Sequence, residues 1–89
     1  MWKDVTTYTK SKFVKEPTSW EIEEGELKIV ITKAHINWSG EWVMHCRALG
    51  MEQLPLTNCR TTADAKDKAI ILVENKILRF IDAFKKIKG

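Results

Sequence analysis

The last third of the chain restricts the fold most, because residues 62–88 contain neither glycine nor proline. Apolar side chains recur there at alternating spacings of three and four, the pattern of one amphipathic face of an α-helix. This row consists of Ile70, Val73, Ile77, Phe80, Phe84 and Ile87. Thr61, with Asp64 three residues later, is typical of a capped helix start. The sequence therefore predicts one long helix that begins after Thr61 and ends near Lys88.

Shorter segments upstream show the alternation of apolar and polar residues that is typical of half-buried strands. They cover residues 19–23, 27–32 and 41–49, and residues 54–56, with Pro55, predict a short fourth strand at a sheet edge. Trp42, Met44, Cys46 and Ala48 share one face of the third segment, so we expect that face to line the core. The pattern predicts an α+β fold in which an antiparallel three- to four-stranded sheet packs on one long C-terminal helix (β-β-β-α).

The first 18 residues differ from the rest, being rich in threonine and lysine and punctuated by Pro17. We interpret 1–18 as an extended basic N-terminal segment and 19–89 as a single α+β domain. Formal charge is +2 over residues 1–18, −2 over 19–60 and +3 over 61–89. Basic ends around an acidic middle are compatible with a phosphate-binding surface and equally with solubility alone.

Length and cysteine content restrict the class of protein. Eighty-nine residues suffice for one domain with a single core. No apolar run approaches the roughly 18 residues of a membrane span, and the first residues contain no apolar stretch of the kind found in secretory signals. Two cysteines without such a signal indicate reduced thiols, so we expect a cytoplasmic protein that makes no contact with a membrane.

The stretch 35–46, HINWSGEWVMHC, concentrates side chains that could bind a metal or a ligand. A metal site needs several ligands that converge on one point. His45 and Cys46 are neighbours in a predicted strand, so their side chains leave opposite faces of the sheet. His35 could approach His45, and Cys59 could approach Cys46, but neither pair completes a tetrahedral set. We therefore predict a hairpin with no metal and no cofactor, in which Trp38 and His45 are candidate protein-binding residues.

Catalysis has no visible signature in the sequence. A nucleophile needs a base within hydrogen-bond reach and an oxyanion donor nearby, and no family pattern of this kind is present. The four glycines stand singly, so no glycine-rich phosphate loop exists. We expect a protein that is not an enzyme.

The helix start, ADAKDKAIILV at residues 63–73, resembles the C-terminal half of a double-stranded-RNA-binding domain. The resemblance covers roughly the last two-thirds of the chain and rests on Ala65, Lys66 and Ala69. It implies a nucleic-acid-binding module in which lysines of the last helix meet phosphates. The candidate lysines are Lys66, Lys68, Lys85, Lys86 and Lys88. The chain departs from the family at residues 61–64, where the family has a lysine cluster, and in lacking an N-terminal amphipathic helix.

The predicted helix is longer than the predicted strands, and this difference indicates a second class of function. A helix over residues 62–88 would extend about 40 Å, whereas a strand of eight residues reaches about 26 Å. We therefore expect the end that carries Phe80, Phe84 and Ile87 to overhang the sheet. Three possibilities remain open for what packs on this apolar end: the chain's own Trp2, Tyr8 or Phe13, a second copy in a homodimer, or a target protein.

The chain also resembles, in size and style, small phage accessory proteins such as inhibitors of bacterial defence nucleases (anti-CRISPR proteins). That resemblance implies an inhibitor of host nucleic-acid-handling or defence machinery. Our primary prediction is a non-catalytic binding protein that acts by macromolecular contact, and the alternative is a double-stranded nucleic-acid-binding module.

Overall fold

The computed structural model describes residues 1–6, 18–33 and 42–89. Within these ranges the chain forms five strands, one short 3₁₀ helix and one α-helix. In chain order these are β1 (Lys3–Asp4), β2 (Ser19–Glu24), β3 (Leu27–Lys33), β4 (Trp42–Cys46), the 3₁₀ helix (Arg47–Leu49), β5 (Met51–Leu56) and α1 (Thr62–Lys88).

The strands form a single antiparallel sheet in the order β1-β2-β3-β4-β5, so each strand pairs with its neighbours in sequence. The predicted α+β fold, with an antiparallel sheet and one long C-terminal helix, is confirmed. The described residues form five strands, one more than the upper end of the predicted three to four. The additional strand, β1, has only two residues, which is too short to show any alternation in the sequence.

The N-terminal residues are tied to the start of β2. Lys3 pairs with Glu21 in the sheet. The hydroxyl oxygen of Thr6 accepts hydrogen bonds from the backbone N–H groups of Thr18 (2.8 Å) and Ser19 (3.0 Å). The N–H of Val5 donates to the carbonyl of Ser19 at 2.9 Å. The described part of the N-terminal segment therefore belongs to the sheet, while the domain boundary at residue 18 stays a prediction.

One face of the sheet supplies most of the core. Ile31 on β3 and Met44 and Cys46 on β4 are completely buried, and Trp42 is 4% exposed. The alternation in the sequence predicted this face of β4, and the burial of its three core residues confirms it. Ile29, Met51 and Leu56 extend the same apolar layer over β3 and β5.

The end of β4 differs from the prediction. The strand stops at Cys46, and residues 47–49 turn into a 3₁₀ helix closed by Gly50, whose φ of 69° lies in the left-handed region that glycine tolerates. Ala48, expected on the core face, is exposed because the turn carries it away from the sheet. Residues 54–56 do form an edge strand with Pro55, as predicted, but this strand begins earlier, at Met51.

Helix α1 covers the core from the other side. The side chain of Thr61 accepts a hydrogen bond from the N–H of Asp64 at 3.1 Å, so the predicted capped start is confirmed. Ala65 and Ala69 are completely buried and Val73 is 3% exposed. Small side chains at the first two contact positions allow the helix backbone to lie close to the sheet.

Candidate protein-binding surface

The C-terminal half of α1 carries large apolar side chains that are exposed to solvent. Val73 is the last buried residue of the helix, and every residue from Leu78 onward is exposed. Phe80 is 47% exposed, Phe84 60% and Ile87 81%. The helix is 27 residues long, or about 40 Å, whereas the longest strand has seven residues, or about 23 Å. The excess length agrees with the overhang expected from the sequence.

The exposed residues continue the same helix face that packs on the sheet. Five apolar residues of this half lie within about one third of the helix circumference, at spacings of three and four. We call them the helix-end stripe: Ile77, Phe80, Ile81, Phe84 and Ile87. Ile77 is half-buried against the core, and Ile81 is 45% exposed. The stripe is therefore the face on which α1 would bury apolar surface if another element lay there.

An apolar cavity of about 260 Å³ adjoins the inner end of the stripe. It lies between α1 and the start of β3, and its lining is apolar except for one carboxylate. The lining residues are Leu27, Ile29, Ile70, Val73, Glu74, Ile77 and Leu78. Sequence reasoning did not find this cavity, because Leu27 is distant in sequence from the helix and no local pattern connects them.

The structure describes one of the two other predicted protein-binding residues. Trp38 falls outside the described residues. His45 is half-buried on β4, between buried Met44 and Cys46 in sequence, so its side chain leaves the sheet on the face opposite α1. Its Nδ1 accepts a hydrogen bond from the backbone N–H of Gln53 at 3.2 Å. His45 and the helix-end stripe therefore do not form one surface.

His45 lines a second cavity, of about 490 Å³, on the face of the sheet opposite α1. The cavity carries side chains of both signs, among them Lys28, Arg47, Glu26 and Glu52. Because charges of both signs line it, the cavity does not define one chemical class of ligand.

Lys66, the central residue of the RNA-binding resemblance, is held between two aromatic rings. Its Nζ lies 3.8 Å from the ring centroid of Trp20 and 5.8 Å from that of Trp2. Both are cation–π distances, and the lysine is half-buried. The ammonium lies over the face of the Trp20 ring, whose Nε1 is buried without a hydrogen-bond partner among the described residues. The sequence contained no signal for this pairing, since Trp2 and Trp20 lie far from Lys66 along the chain.

The remaining candidate lysines divide into two groups. Lys68 donates from Nζ to the carbonyl oxygen of Thr57 at 2.8 Å and to its hydroxyl at 3.2 Å. Lys85, Lys86 and Lys88 are exposed in the last turn of α1. The structure therefore does not bring the five predicted phosphate-binding lysines together, because Lys66 and Lys68 lie in the first two turns of α1 and the other three lie in its last turn.

Within the described residues, no three His, Cys, Asp or Glu side chains lie close enough together to hold a metal ion. Cys46 and Cys59 are free thiols, the first buried and the second half-buried. Across the same part of the chain, no helix combines the length and the apolar character that crossing a membrane requires.

Comparison of the sequence with models of protein families, with characterised proteins and with solved structures found no match. The fold defines a small α+β domain with a projecting amphipathic helix, and its function has to be inferred from its own surfaces.

Proposed function

We propose that the protein is a non-catalytic binding domain that acts by macromolecular contact and docks on protein through the helix-end stripe. The observation that carries this proposal is the exposure of Phe80, Phe84 and Ile87 (47%, 60% and 81%) near the C-terminal end of α1. Removing a large apolar side chain from water is worth about 1.5–3 kcal/mol. Contiguous exposed apolar patches of this kind mark interaction sites in soluble proteins.

The edges of the sheet offer poorer docking positions, which supports the choice of the helix. β1 has only two residues. β5 contains Pro55, which lacks a backbone donor, and Gln53, whose φ of 49° departs from extended geometry. The register also shifts along β5 between the partners of Met44 and Cys46. Irregular edges of this kind hinder the addition of a strand from another chain.

The narrower prediction, a phage-type inhibitor of host nucleic-acid-handling or defence machinery, stays a prediction, as does the cytoplasmic location. A protein that inhibits by contact needs an exposed docking surface and no catalytic constellation. The helix-end stripe meets the first of these conditions.

The alternative function is binding of double-stranded nucleic acid, favoured by the three exposed lysines in the last turn of α1. The two lysines at the start of α1 support this alternative less, because the ammonium of Lys66 contacts the ring of Trp20 and Lys68 donates a hydrogen bond to Thr57. Either lysine would have to give up an intramolecular contact before it met a phosphate. Nucleic-acid binding therefore ranks second.

The proposal is tested by capture of partners with the immobilised protein from a nuclease-treated lysate of the source cells. Phe84→Asp places a charge in the centre of the stripe at an exposed position, so it should leave the fold intact and abolish capture. Ile71→Asp is the matched control, because Ile71 is 56% exposed on a different face of the same helix. Specific partners that bind Phe84→Asp as well as the wild type would contradict the proposal.

The nucleic-acid alternative is tested with a labelled RNA or DNA duplex at low salt. If Lys85, Lys86 and Lys88 bind phosphates, replacing all three with glutamate should abolish the affinity, and the wild-type affinity should fall steeply as salt rises. We expect no measurable binding by the wild type. Tight, salt-dependent binding would reverse the ranking.

A further inference from the structure

We infer that the occupant of the helix-end stripe is a second copy of this chain, with the two α1 helices antiparallel. This inference rests on the proposed function, since it names the partner of the same surface. The stripe has the spacing of a paired helix: Ile77 and Phe84 occupy a positions of a heptad, and Phe80 and Ile87 occupy d positions. Exposed residues at a and d pack into the holes of a facing helix.

The charges beside the stripe determine the orientation. Glu74, Ile81 and Lys88 all occupy e positions, and in an antiparallel pair the e positions of the two helices face each other. Glu74 precedes Ile81 by seven residues and Lys88 follows it by seven. A twofold axis midway between Phe80 and Phe84 therefore brings Glu74 of each copy to within about 3 Å, measured along the helix axis, of the level of Lys88 of the other. A parallel pair would instead place Lys88 beside Ala83 of the second copy, because e positions then face g positions, and this lysine would meet no acidic side chain.

The same register aligns the apolar layers. It sets Phe80 against Phe84 of the second copy and Ile77 against Ile87 of the second copy. On the side of the stripe opposite Ile81, Ala83 of one copy lies beside Ala83 of the other, and these small side chains let the two helices approach each other. Ile87 of the second copy then lies at the level of the apolar cavity beside Ile77 and Leu78. The projecting end of one copy thereby covers the unfilled groove of the other.

The exposed area is that of a weak interface. The four outer residues of the stripe are 45–81% exposed. With roughly 200 Å² for a fully exposed side chain of this size, these four residues present on the order of 450 Å² per copy. Two copies bury about 900 Å², which lies in the range of weak, transient protein–protein contacts. We therefore expect a weak dimer rather than an obligate one.

Sedimentation velocity tests the association between about 10 µM and about 1 mM, where a dimer of micromolar affinity or weaker would form. The wild type should pass from monomer to dimer over this range. Phe84→Asp should remain monomeric throughout, with an unchanged far-UV circular dichroism spectrum. Ile71→Asp, with similar exposure on another face, should dimerise like the wild type. A wild type that is monomeric at 1 mM, or Phe84→Asp dimerising normally, would overturn the inference.

Charge reversal tests the register. Glu74→Lys alone and Lys88→Glu alone each place like charges side by side at both ends of the interface, so each should weaken the dimer about three- to tenfold. The double reversal restores opposite charges and should recover the wild-type affinity. Failure of the double variant to recover would exclude the proposed pairing of Glu74 with Lys88.

Cross-linking tests the orientation, in a Cys59→Ser background with Cys46 left buried. Glu74→Cys combined with Lys88→Cys should give covalent dimers with a short bis-maleimide. Lys88→Cys alone should give none, because the two copies of residue 88 are separated by about 18 Å along the helix axis in the antiparallel pair. Efficient cross-linking of Lys88→Cys alone would indicate a parallel pair and refute the antiparallel one.

The two proposals fail in distinguishable ways. If the wild type stays monomeric and captures a partner that Phe84→Asp does not capture, the inferred dimer is wrong and the protein-binding function stands. If the wild type stays monomeric and Phe84→Asp instead lowers the melting temperature, the chain's own residues cover the stripe and both proposals are wrong. Tyr8→Ser and Phe13→Ser would then identify the covering segment without removing β1.

Discussion

Replacing Lys66 with methionine should destabilise the domain, although among the described residues Lys66 is neither a core residue nor part of an ion pair. Methionine keeps the length and the apolar stem of the side chain and removes only the charge. The ammonium lies 3.8 Å from the centroid of Trp20 and 5.8 Å from that of Trp2 in a half-buried position. A cation–π contact is worth about 0.5–1 kcal/mol when exposed and about 2 kcal/mol when desolvated.

From these contacts we expect Lys66→Met to lose about 1–1.5 kcal/mol of the free energy of unfolding. For a domain of this size each 1 kcal/mol corresponds to about 4–8 °C in melting temperature. Urea titration and thermal melting of the wild type, Lys66→Met and Lys66→Arg would measure the loss, and arginine should retain most of the stability. Lys86→Met on the exposed last turn is the control and should change stability by less than about 0.5 kcal/mol.

A double-mutant cycle with Trp20→Leu would show whether the lysine acts through the ring. The coupling energy should be at least about 0.5 kcal/mol if the two side chains interact, and within about 0.3 kcal/mol of zero if they act independently. Additive effects, or equal losses in Lys66→Met and Lys86→Met, would refute the reasoning. Lys66 would then be free for the phosphate contact that the RNA-binding resemblance implies.

Three further results are expected. Thr61→Ala removes the side-chain acceptor for the N–H of Asp64 at the start of α1 and should lower the free energy of unfolding by about 1 kcal/mol; an unchanged urea midpoint would contradict the capping role. Ala69→Leu should cost about 1–3 kcal/mol by overpacking the completely buried contact between helix and sheet, whereas Ala63→Leu, exposed on the same helix, should be nearly neutral in the same melts. A chelator should leave the melting temperature unchanged, and a drop of several degrees on chelation would reveal a metal site.

The sequence by itself determined those features that depend on local periodicity and local capping. The row from Ile70 to Ile87, without glycine or proline, was enough to locate α1 and its exposed end. The alternation of Trp42, Met44 and Cys46 identified the buried face of β4, because neighbouring side chains of a strand point to opposite sides. Thr61 marked the helix start, since a cap forms with residues only three positions away.

Only the tertiary structure decided the features that depend on contacts between distant residues. Two residues of β1 pair with β2 because the N–H of Val5 and the hydroxyl of Thr6 are hydrogen-bonded to Ser19, and two residues display no period. Residues 47–49 leave the extended conformation where the register with β5 shifts, although their alternation with β4 continues unbroken in the sequence.

Lys66 shows the difference most clearly. The sequence placed it in the pattern of a phosphate-binding helix, because only residues of the same helix were visible. In the folded chain β1 and β2 bring Trp2 and Trp20 against the first turns of α1, and the lysine stacks on their rings. Local sequence determines where a helix begins and which face is apolar, but the partner of a long side chain depends on which distant strand the fold places within its reach.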